Sequence, residues 1–331
     1  MKEKTLIIGI DVSKVALDLC LVKNGKSQSQ QIKNNVKCIG QFFNKLQKQN
    51  EDYKIIVGME STGYYNWPCF EFLEEKGITL FVINPLHLRR SMGLVRGKND
   101  SIDAFRIAKF IDSNQSALKA TILPRRQIRL LQALVAQRTR LIDSRRRFAV
   151  PTEELIFVSD KELYAKIKKS SQKMIKEIQL QILAIEKEIN NLINEDTELK
   201  ERFTYMISVS GVGKVLAWNM LIKTNEFKSI NNPRKLACYA GVVPFDFQSG
   251  TSVYRKPRVS PMADKTLKKL LHLSAMRAVR LKGELKTYYQ RKVDEGKNKM
   301  SVLNAVRNKI VARICAVINN RRIYEHRLVV S

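Results

Sequence analysis

The chain has 331 residues, of which 44% are hydrophobic, and its 60 Lys and Arg against 31 Asp and Glu give a formal net charge of +29. This length can bury more than one core, which argues against a disordered chain and favours two domains with a connecting segment. The positive charge favours a nucleic-acid partner over a membrane, because no apolar run reaches the roughly 18 residues of a spanning helix. The first residues show no signal-peptide pattern, which predicts a cytoplasmic protein.

Cysteine and histidine are too dispersed to indicate a zinc centre or a disulfide framework. The five cysteines contain no CxxC pair, and the chain has only three histidines. The cysteines are therefore interpreted as small buried apolar residues. A histidine-based hydrolase triad is disfavoured for the same reason.

Residues 1–125 predict an α/β domain, because apolar strand patterns alternate with helical spacing. The predicted strands are Thr5–Val12, Val15–Val22, Lys54–Glu60 and Ile78–Ile83, and the predicted helices are Val36–Gln49 and Tyr64–Lys76. The first and third of these strands each carry an acid at or near their carboxyl end. Such acids come together if the two strands are neighbours in the sheet.

Four carboxylates of this domain predict a metal site. Asp11 and Glu60 stand at strand ends, and Asp100 and Asp103 are three residues apart, so they share one face at a helix start. Carboxylate oxygens suit Mg²⁺ or Mn²⁺, and two ions about 4 Å apart could activate an attacking oxygen and stabilise a leaving one. In the alternative interpretation, Asp100 caps the helix and Asp103 faces its dipole.

Other charged residues surround these acids. Asp18, on the second predicted strand, is interpreted as facing solvent. Arg89, Arg90, Arg96 and Lys98 flank the acids and could hold a phosphate backbone. The alternative is that these four cations only keep the surface soluble.

Residues 126–202 predict a helical connector. Its helical stretches are Gln127–Arg147 and Lys161–Arg202, with a break near Pro151. Six apolar residues of the second stretch follow heptad spacing: Ile175, Ile178, Ile182, Ile185, Ile189 and Leu192. This seam predicts either a coiled coil that joins two chains or a helical hairpin within one chain.

Residues 203–331 predict a mostly helical domain with the largest excess of positive charge, 25 Lys and Arg against 7 Asp and Glu. Two long basic helices are predicted at Asp264–Leu281 and Met300–Arg321. The segment Val209–Lys214, VSGVGK, is similar to the hairpin of helix-hairpin-helix modules, whose backbone amides can approach a phosphate. A tight helix connection without a ligand is the alternative.

Several sequence blocks resemble the DEDD transposases of the IS-one-ten insertion-sequence family. The blocks are GIDVSK at 9–14, GMESTGYY at 58–65, INPLHLRR at 83–90, KNDSIDA at 98–104, ISVSGVGKVLAWNML at 207–221 and CYAGVVPFDFQSGTS at 238–252. The resemblance implies an α/β RNase H-like (RuvC-type) domain over 1–125, a helical coiled-coil middle over 126–202 and a mostly α transposase domain over 203–331.

The resemblance further implies an RNA-guided DNA recombinase. A noncoding bridge RNA would pair with double-stranded donor and target DNA, and the protein would join them. The family's metal-binding acids map onto Asp11, Glu60, Asp100 and Asp103, and its nucleophilic serine maps onto Ser249, which would form a phosphoserine intermediate. The resemblance also implies a homo-oligomer, a dimer that assembles to a tetramer, in a bacterial or archaeal cell. In one hypothesis, Ser249 and the acids of a single site come from different protomers.

Two other functions stay open at this point. A Holliday-junction-type endonuclease would need the acids but not Ser249, and a non-enzymatic architectural nucleic-acid-binding protein would need neither. Without the resemblance, Ser249 beside Gly250 is typical of a loop serine. Thr251, Ser252 and Ser260 are nearby alternatives for the nucleophile.

Overall fold

The computed structural model describes residues 4–61, 63–91, 100–154, 160–249 and 253–325. The chain forms two compact units, Met1–Leu123 and Pro124–Ser331. We call them unit 1 and unit 2. The division into three domains at residues 125 and 202 stays a prediction.

Unit 1 is built on a mixed five-stranded sheet with the order β3-β2-β1-β4-β5. Its strands are β1 Thr5–Val12, β2 Ala16–Lys23, β3 Lys26–Lys33, β4 Lys54–Glu60 and β5 Thr79–Ile83. Strands β1, β2 and β3 form antiparallel pairs, whereas β4 pairs in parallel with both β1 and β5. The four strands predicted from apolar patterns are confirmed. Strand β3, KSQSQQIK, escaped prediction because it is an edge strand without an apolar face.

Helices cover both faces of this sheet. They are α1 Val36–Gln49, α2 Trp67–Glu75, α3 Pro85–Ser91 and α4 Asp100–Asn114. Helices α1 and α2 pack on the face that presents Leu6, Ile8 and Ile10, and α3 and α4 pack on the face that presents Ile7 and Ile56. The helix predicted at 64–76 is α2, preceded by a short 3-10 turn at Gly63–Asn66. The chain thus forms a three-layer α/β unit, with the acids at the carboxyl ends of two central strands.

In the described parts of unit 2, the regular structure is helical apart from one β-hairpin. Its helices are α5 Arg126–Glu154, α6 Lys161–Glu195, α7 Thr197–Ile207, α8 Lys214–Lys223, α9 Pro233–Tyr239, α10 Lys265–Ala278, α11 Glu284–Asp294 and α12 Lys299–Asn319. The hairpin consists of β6 Pro244–Ser249 and β7 Val253–Val259. Helix α12 lies deep in this unit, because Ile310, Val311 and Ile314 are fully buried in its core.

Helices α5 and α6 pack against each other. Ile189 of the heptad seam is buried, and Ile185 and Leu192 pack against the same core. Ile128 and Leu131 of α5 belong to that core as well. The seam therefore packs within the chain, as the helical-hairpin alternative predicts, and a coiled coil between chains is not confirmed.

The helical pattern predicted for 161–202 is interrupted at Asp196. The backbone there is extended, with φ −109° and ψ 114°, and the Asp196 side chain accepts a hydrogen bond from the Leu199 N–H at 2.9 Å. Asp196 thus caps α7. The Arg125 guanidinium also pairs with this carboxylate and places Nη2 2.8 Å from Asp196 Oδ1. A charged contact outside the helix therefore stabilises the break, which helical periodicity does not reveal.

None of the helices within the described ranges is both long enough and apolar enough to cross a membrane.

Candidate nuclease site

Asp11 and Glu60 lie at the carboxyl ends of neighbouring parallel strands. Ile10 of β1 pairs with Met59 of β4, so the acid that follows each of them emerges on the same face of the sheet. Both acids are half-buried. The Asn66 side-chain amide donates a hydrogen bond to the Glu60 main-chain carbonyl at 2.8 Å, which holds the turn after β4. The two strand-end acids are therefore neighbours, as the sequence predicts.

Helix α4 lies directly on this face because two glycines leave room for it. A Cβ added to Gly9 would lie 2.1 Å from the carbonyl oxygen of Ala104, and one added to Gly58 would lie 2.7 Å from Ile111 Cγ1. Gly9 and Gly58 pair with each other across β1 and β4. The contact at Ala104 brings the preceding residue, Asp103, to the face of the sheet that carries Asp11, two residues beyond Gly9.

The start of α4 carries the other two predicted acids. Asp100 is the first residue of the helix, and its side chain lies outside the described part of the chain. Arg106 Nη1 lies 2.6 Å from Asp103 Oδ1, and the Asp103 side chain is 25% exposed. Within the described residues, no group of three His, Cys, Asp or Glu is placed to hold a metal ion. The metal site formed by all four acids thus stays a prediction.

Asp18 is a further carboxylate beside these acids, although the sequence analysis interprets it as facing solvent. Asp18 of β2 pairs in register with Asp11 and therefore lies on the same face of the sheet. It is half-buried, and it accepts a hydrogen bond from Gln31 Nε2 at 2.9 Å. Directly opposed residues have Cβ atoms about 4.5–5.5 Å apart, and two like charges at that separation favour a bound cation. A hairpin register centred between Lys14 and Val15 would have revealed this pair.

The structure describes two of the four cations that are predicted near the acids. Arg89 and Arg90 are exposed at the end of α3. Arg96 and Lys98 lie outside the described residues.

Ser249 is the last residue of β6, and its backbone pairs with Val253 of β7. Its side chain lies outside the described part of the structure, as do Thr251 and Ser252. Ser260 follows β7, and its hydroxyl oxygen accepts a hydrogen bond from the Met262 N–H at 3.2 Å. The structure thus places Ser249 at the end of a hairpin strand of unit 2, and its catalytic role stays a prediction.

The segment between α7 and α8 forms a tight hairpin. Val209 and Val212 are buried, and Gly211 has a φ of +88°. A Cβ on Gly211 would lie 2.5 Å from the Ser274 carbonyl oxygen, so only glycine fits this approach to α10. Gly213, at the N-cap of α8, faces open space. A cleft of about 310 Å³ borders this turn and includes Lys214 and Arg277 in its lining.

Comparisons with known proteins agree with the sequence blocks. Residues 8–154 match a family model described as DEDD_Tnp_IS110, Transposase, and residues 204–290 match one described as Transposase IS116/IS110/IS902 family. The pilin gene-inverting protein of Moraxella bovis is 22% identical over 97% of this chain and 98% of its own length. An uncharacterized 43.6 kDa protein of insertion element IS110 from Streptomyces coelicolor is 28% identical over 44% of this chain and 35% of its own length.

Among solved structures, RuvC of T. thermophilus in complex with a Holliday junction substrate aligns with 36% of this chain and 99% of that chain, at 13% identity and a TM-score of 0.28. The two family models together span most of the chain, from the sheet with its acids to the helical unit with Ser249. The protein belongs to the IS110 family of DNA transposases.

Proposed function

We propose that this transposase is an RNA-guided recombinase of an insertion sequence, which cleaves and exchanges DNA strands through a phosphoserine intermediate. One observation carries the nuclease part: Asp11, Glu60 and the start of α4 with Asp103 share one face of the sheet. Relatives named for gene inversion match nearly the whole chain, which supports rejoining of strands as well as cleavage. Guidance by a noncoding bridge RNA is supported by the sequence blocks of the family.

Unit 1 is proposed to have an RNase H-like, RuvC-type fold. Its mixed sheet, its helices on both faces and its acids at the carboxyl ends of β1 and β4 support this proposal. Such a unit would place the acids at a surface that a DNA strand can approach.

Asp11, Glu60, Asp100 and Asp103 would hold Mg²⁺ or Mn²⁺. The donor set suits these ions, because all four groups are carboxylates and hard cations prefer oxygen ligands. A bound ion supplies Lewis-acid stabilisation of charge on phosphate oxygens and lowers the pKa of an attacking hydroxyl. The chain's own contribution is positional: α4 is fixed on the sheet, and Arg106 holds the Asp103 carboxylate by an ion pair at 2.6 Å.

Ser249 is proposed as the nucleophile. Its Oγ would form a bond to the scissile phosphorus while the bond from phosphorus to the leaving sugar oxygen breaks, and the serine proton would pass to solvent or to a nearby base. The exchanged strand's hydroxyl would then displace Oγ, so the bond energy is conserved and no ATP is needed. The hairpin that carries Ser249 would supply it from unit 2, in the same or in another protomer of a dimer or tetramer.

The turn between α7 and α8 is proposed to contact the DNA backbone. The open space at Gly213 and the cations Lys214 and Arg277 beside the cleft support this role. Contacts of backbone amides and cations with phosphates position DNA but do not read its sequence. Pairing with the RNA would instead select the donor and target.

The test combines purified protein, Mg²⁺, RNA transcribed from the element and labelled double-stranded donor and target DNA. A protein–DNA adduct that survives denaturation is expected in the wild type and lost in Ser249→Ala. Asp11→Asn and Glu60→Gln are expected to abolish cleavage. Asp112→Asn is the matched control, since Asp112 is an exposed acid near the other end of α4.

The outcomes separate the alternatives. Cleavage without an adduct that is unchanged in Ser249→Ala would favour a Holliday-junction-type endonuclease. DNA binding without cleavage, unaffected by the acid substitutions, would favour an architectural protein. An adduct that forms equally well without RNA would remove RNA guidance from the proposal.

A further inference from the structure

A wide groove lies on unit 1 between the edge strand β3 and helix α1. Its volume is about 1310 Å³, and four lysines line it: Lys23, Lys26, Lys33 and Lys45. Among the residues that the structure describes, six side-chain amides line it as well, including those of Gln28 and Gln41, but no carboxylate does. The groove is therefore a concave surface of uniformly positive charge in which amides can both donate and accept hydrogen bonds.

The lysines of this groove are largely available to an anion. Lys23 Nζ is held 2.6 Å from Asn50 Oδ1 and 4.2 Å from the centre of the Tyr53 ring. Lys26, Lys33 and Lys45 are exposed, and none of the three forms an ion pair with a residue in the described ranges. Clustering such cations without acids costs repulsion in the free protein, which a polyanion would relieve.

The groove follows β3 along its length. Lys26 pairs with Lys23 at the β2–β3 turn, and Lys33 pairs with Ala16 at the other end. At about 3.3 Å per residue, the seven steps from Lys26 to Lys33 span about 23 Å. Duplex DNA rises about 3.4 Å per base pair, so this length matches about seven base pairs of one strand.

The Lys33 end of the groove lies at the end of the sheet where the carboxylates stand. Asp11 pairs with Asp18, and Asp18 pairs with Gln31, two residues from Lys33. The groove lies on the α1 face of the sheet and the carboxylates lie on the α4 face, with the edge strand between them. A DNA segment that starts at the carboxylates and passes over this edge would reach the groove after crossing β2 and β3. The axes of β1 and β3 are roughly 10 Å apart.

We propose that this groove binds the sugar–phosphate backbone of the duplex DNA that flanks the reacting position. The inference rests on the proposed function for the identity of the DNA. Lysines and amides bind phosphate and sugar oxygens, whereas base recognition by stacking would need exposed aromatic rings. The aromatic residue in the lining is Phe42, which is half-buried against the core of unit 1. The contact is therefore independent of sequence.

The test compares two double variants of the full-length protein. Lys26→Gln with Lys45→Gln removes two groove charges, one on β3 and one on α1. Lys37→Gln with Lys48→Gln removes two exposed charges of the same helix α1 that do not line the groove. Binding of a labelled DNA duplex is measured by fluorescence anisotropy over a series of salt concentrations. The slope of log K against log salt is expected to become shallower by about 1.8 in the groove variant and to change by much less in the control.

Equal slopes in the two double variants would overturn the proposal. So would a change seen only with an RNA duplex of the same sequence, because the groove would then hold RNA. Lys26→Gln alone, with an expected change of about 0.9, keeps the test decisive if the double variant does not fold. Because binding is measured without cleavage, failure of the groove is distinguishable from failure of the proposed chemistry.

Discussion

Replacement of Arg125 by Met is expected to destabilise unit 2, because it removes the main partner of a buried carboxylate. The Glu226 side chain has no exposed surface, and Arg125 Nη2 lies 2.6 Å from its Oε1. Arg125 also pairs with Asp196, the cap of α7. Arg202 and Lys228 make further contacts with Glu226 at 3.0 and 3.2 Å. The side chain of Arg125 therefore joins two separate acidic positions of the fold.

The magnitude follows from burial and from the partners that remain. Breaking a buried ion pair by removing one member costs about 3–5 kcal/mol. The Arg125 side chain is 29% exposed, and two cations still contact Glu226 in the variant. We therefore expect a loss of about 2–3 kcal/mol in the free energy of unfolding. For a unit of this size the midpoint of thermal unfolding would fall by about 5–10 °C.

The assay is thermal and urea unfolding of the full chain, followed by circular dichroism at neutral pH. Lys166→Met is the control, because Lys166 and Glu162 form an ion pair at 2.7 Å with side chains 73% and 79% exposed. Such an exposed pair contributes less than about 0.5 kcal/mol. If Arg125→Met shifted the midpoint no more than Lys166→Met, burial of Glu226 would not strengthen this interaction and the reasoning would be refuted.

Three further predictions concern other parts of the chain. Gly9→Ala should destabilise unit 1 by more than about 3 kcal/mol in urea unfolding, because its Cβ would meet a helix carbonyl at 2.1 Å. Gly40→Ala, in the interior of α1, would place its Cβ 3.5 Å from the Phe72 ring of α2, an ordinary contact, so it should stabilise that unit by about 0.5–1 kcal/mol. Equal effects of the two substitutions would contradict both predictions. Burial raises the pKa of the Glu226 carboxyl, but Arg125 and Lys228 outweigh it, so this pKa lies below its usual value. The stability that results is present above the unfolded pKa, near 4.3, and is lost as the pH falls through the folded pKa. The loss of unfolding free energy in Arg125→Met should therefore disappear in acid, and a loss that persists there would contradict this linkage. Burial and the charge of Arg307 lower the pKa of His272, whose ring nitrogen lies 2.7 Å from that guanidinium, so Arg307→Met should raise this pKa in an NMR titration.

Local sequence patterns determined several elements without help from the fold. The apolar runs of β1 and β4 and the spacing of α1 predicted their bounds as the structure has them. Asn35 explains the start of α1, because its side chain accepts a hydrogen bond from the Cys38 N–H at 2.8 Å. These features depend on backbone periodicity and capping within a few residues, so they can be read directly along the chain.

Strand β3 and the position of Asp18 were decided by pairing. The strand has no apolar face beyond the single residue Ile32, so its place in the sheet follows from its register with β2 and not from an apolar pattern. The same hairpin geometry turns Asp18 toward the face that carries Asp11. In the sequence alone Asp18 is an isolated polar residue, because only the pairing of β2 with β1 determines the face of the sheet on which its side chain lies.

Contacts between distant segments decided the rest. The sequence by itself determined which acids, serine and basic residues the protein has, and the sequence blocks by which its family is recognised. The tertiary structure decided that α4 lies on Gly9 and Gly58, that the seam of α6 packs against α5, and that Asp196 ends a helix beside Arg125. The physical reason is that burial and charge pairing act across space, so their outcome depends on which segments the fold makes neighbours.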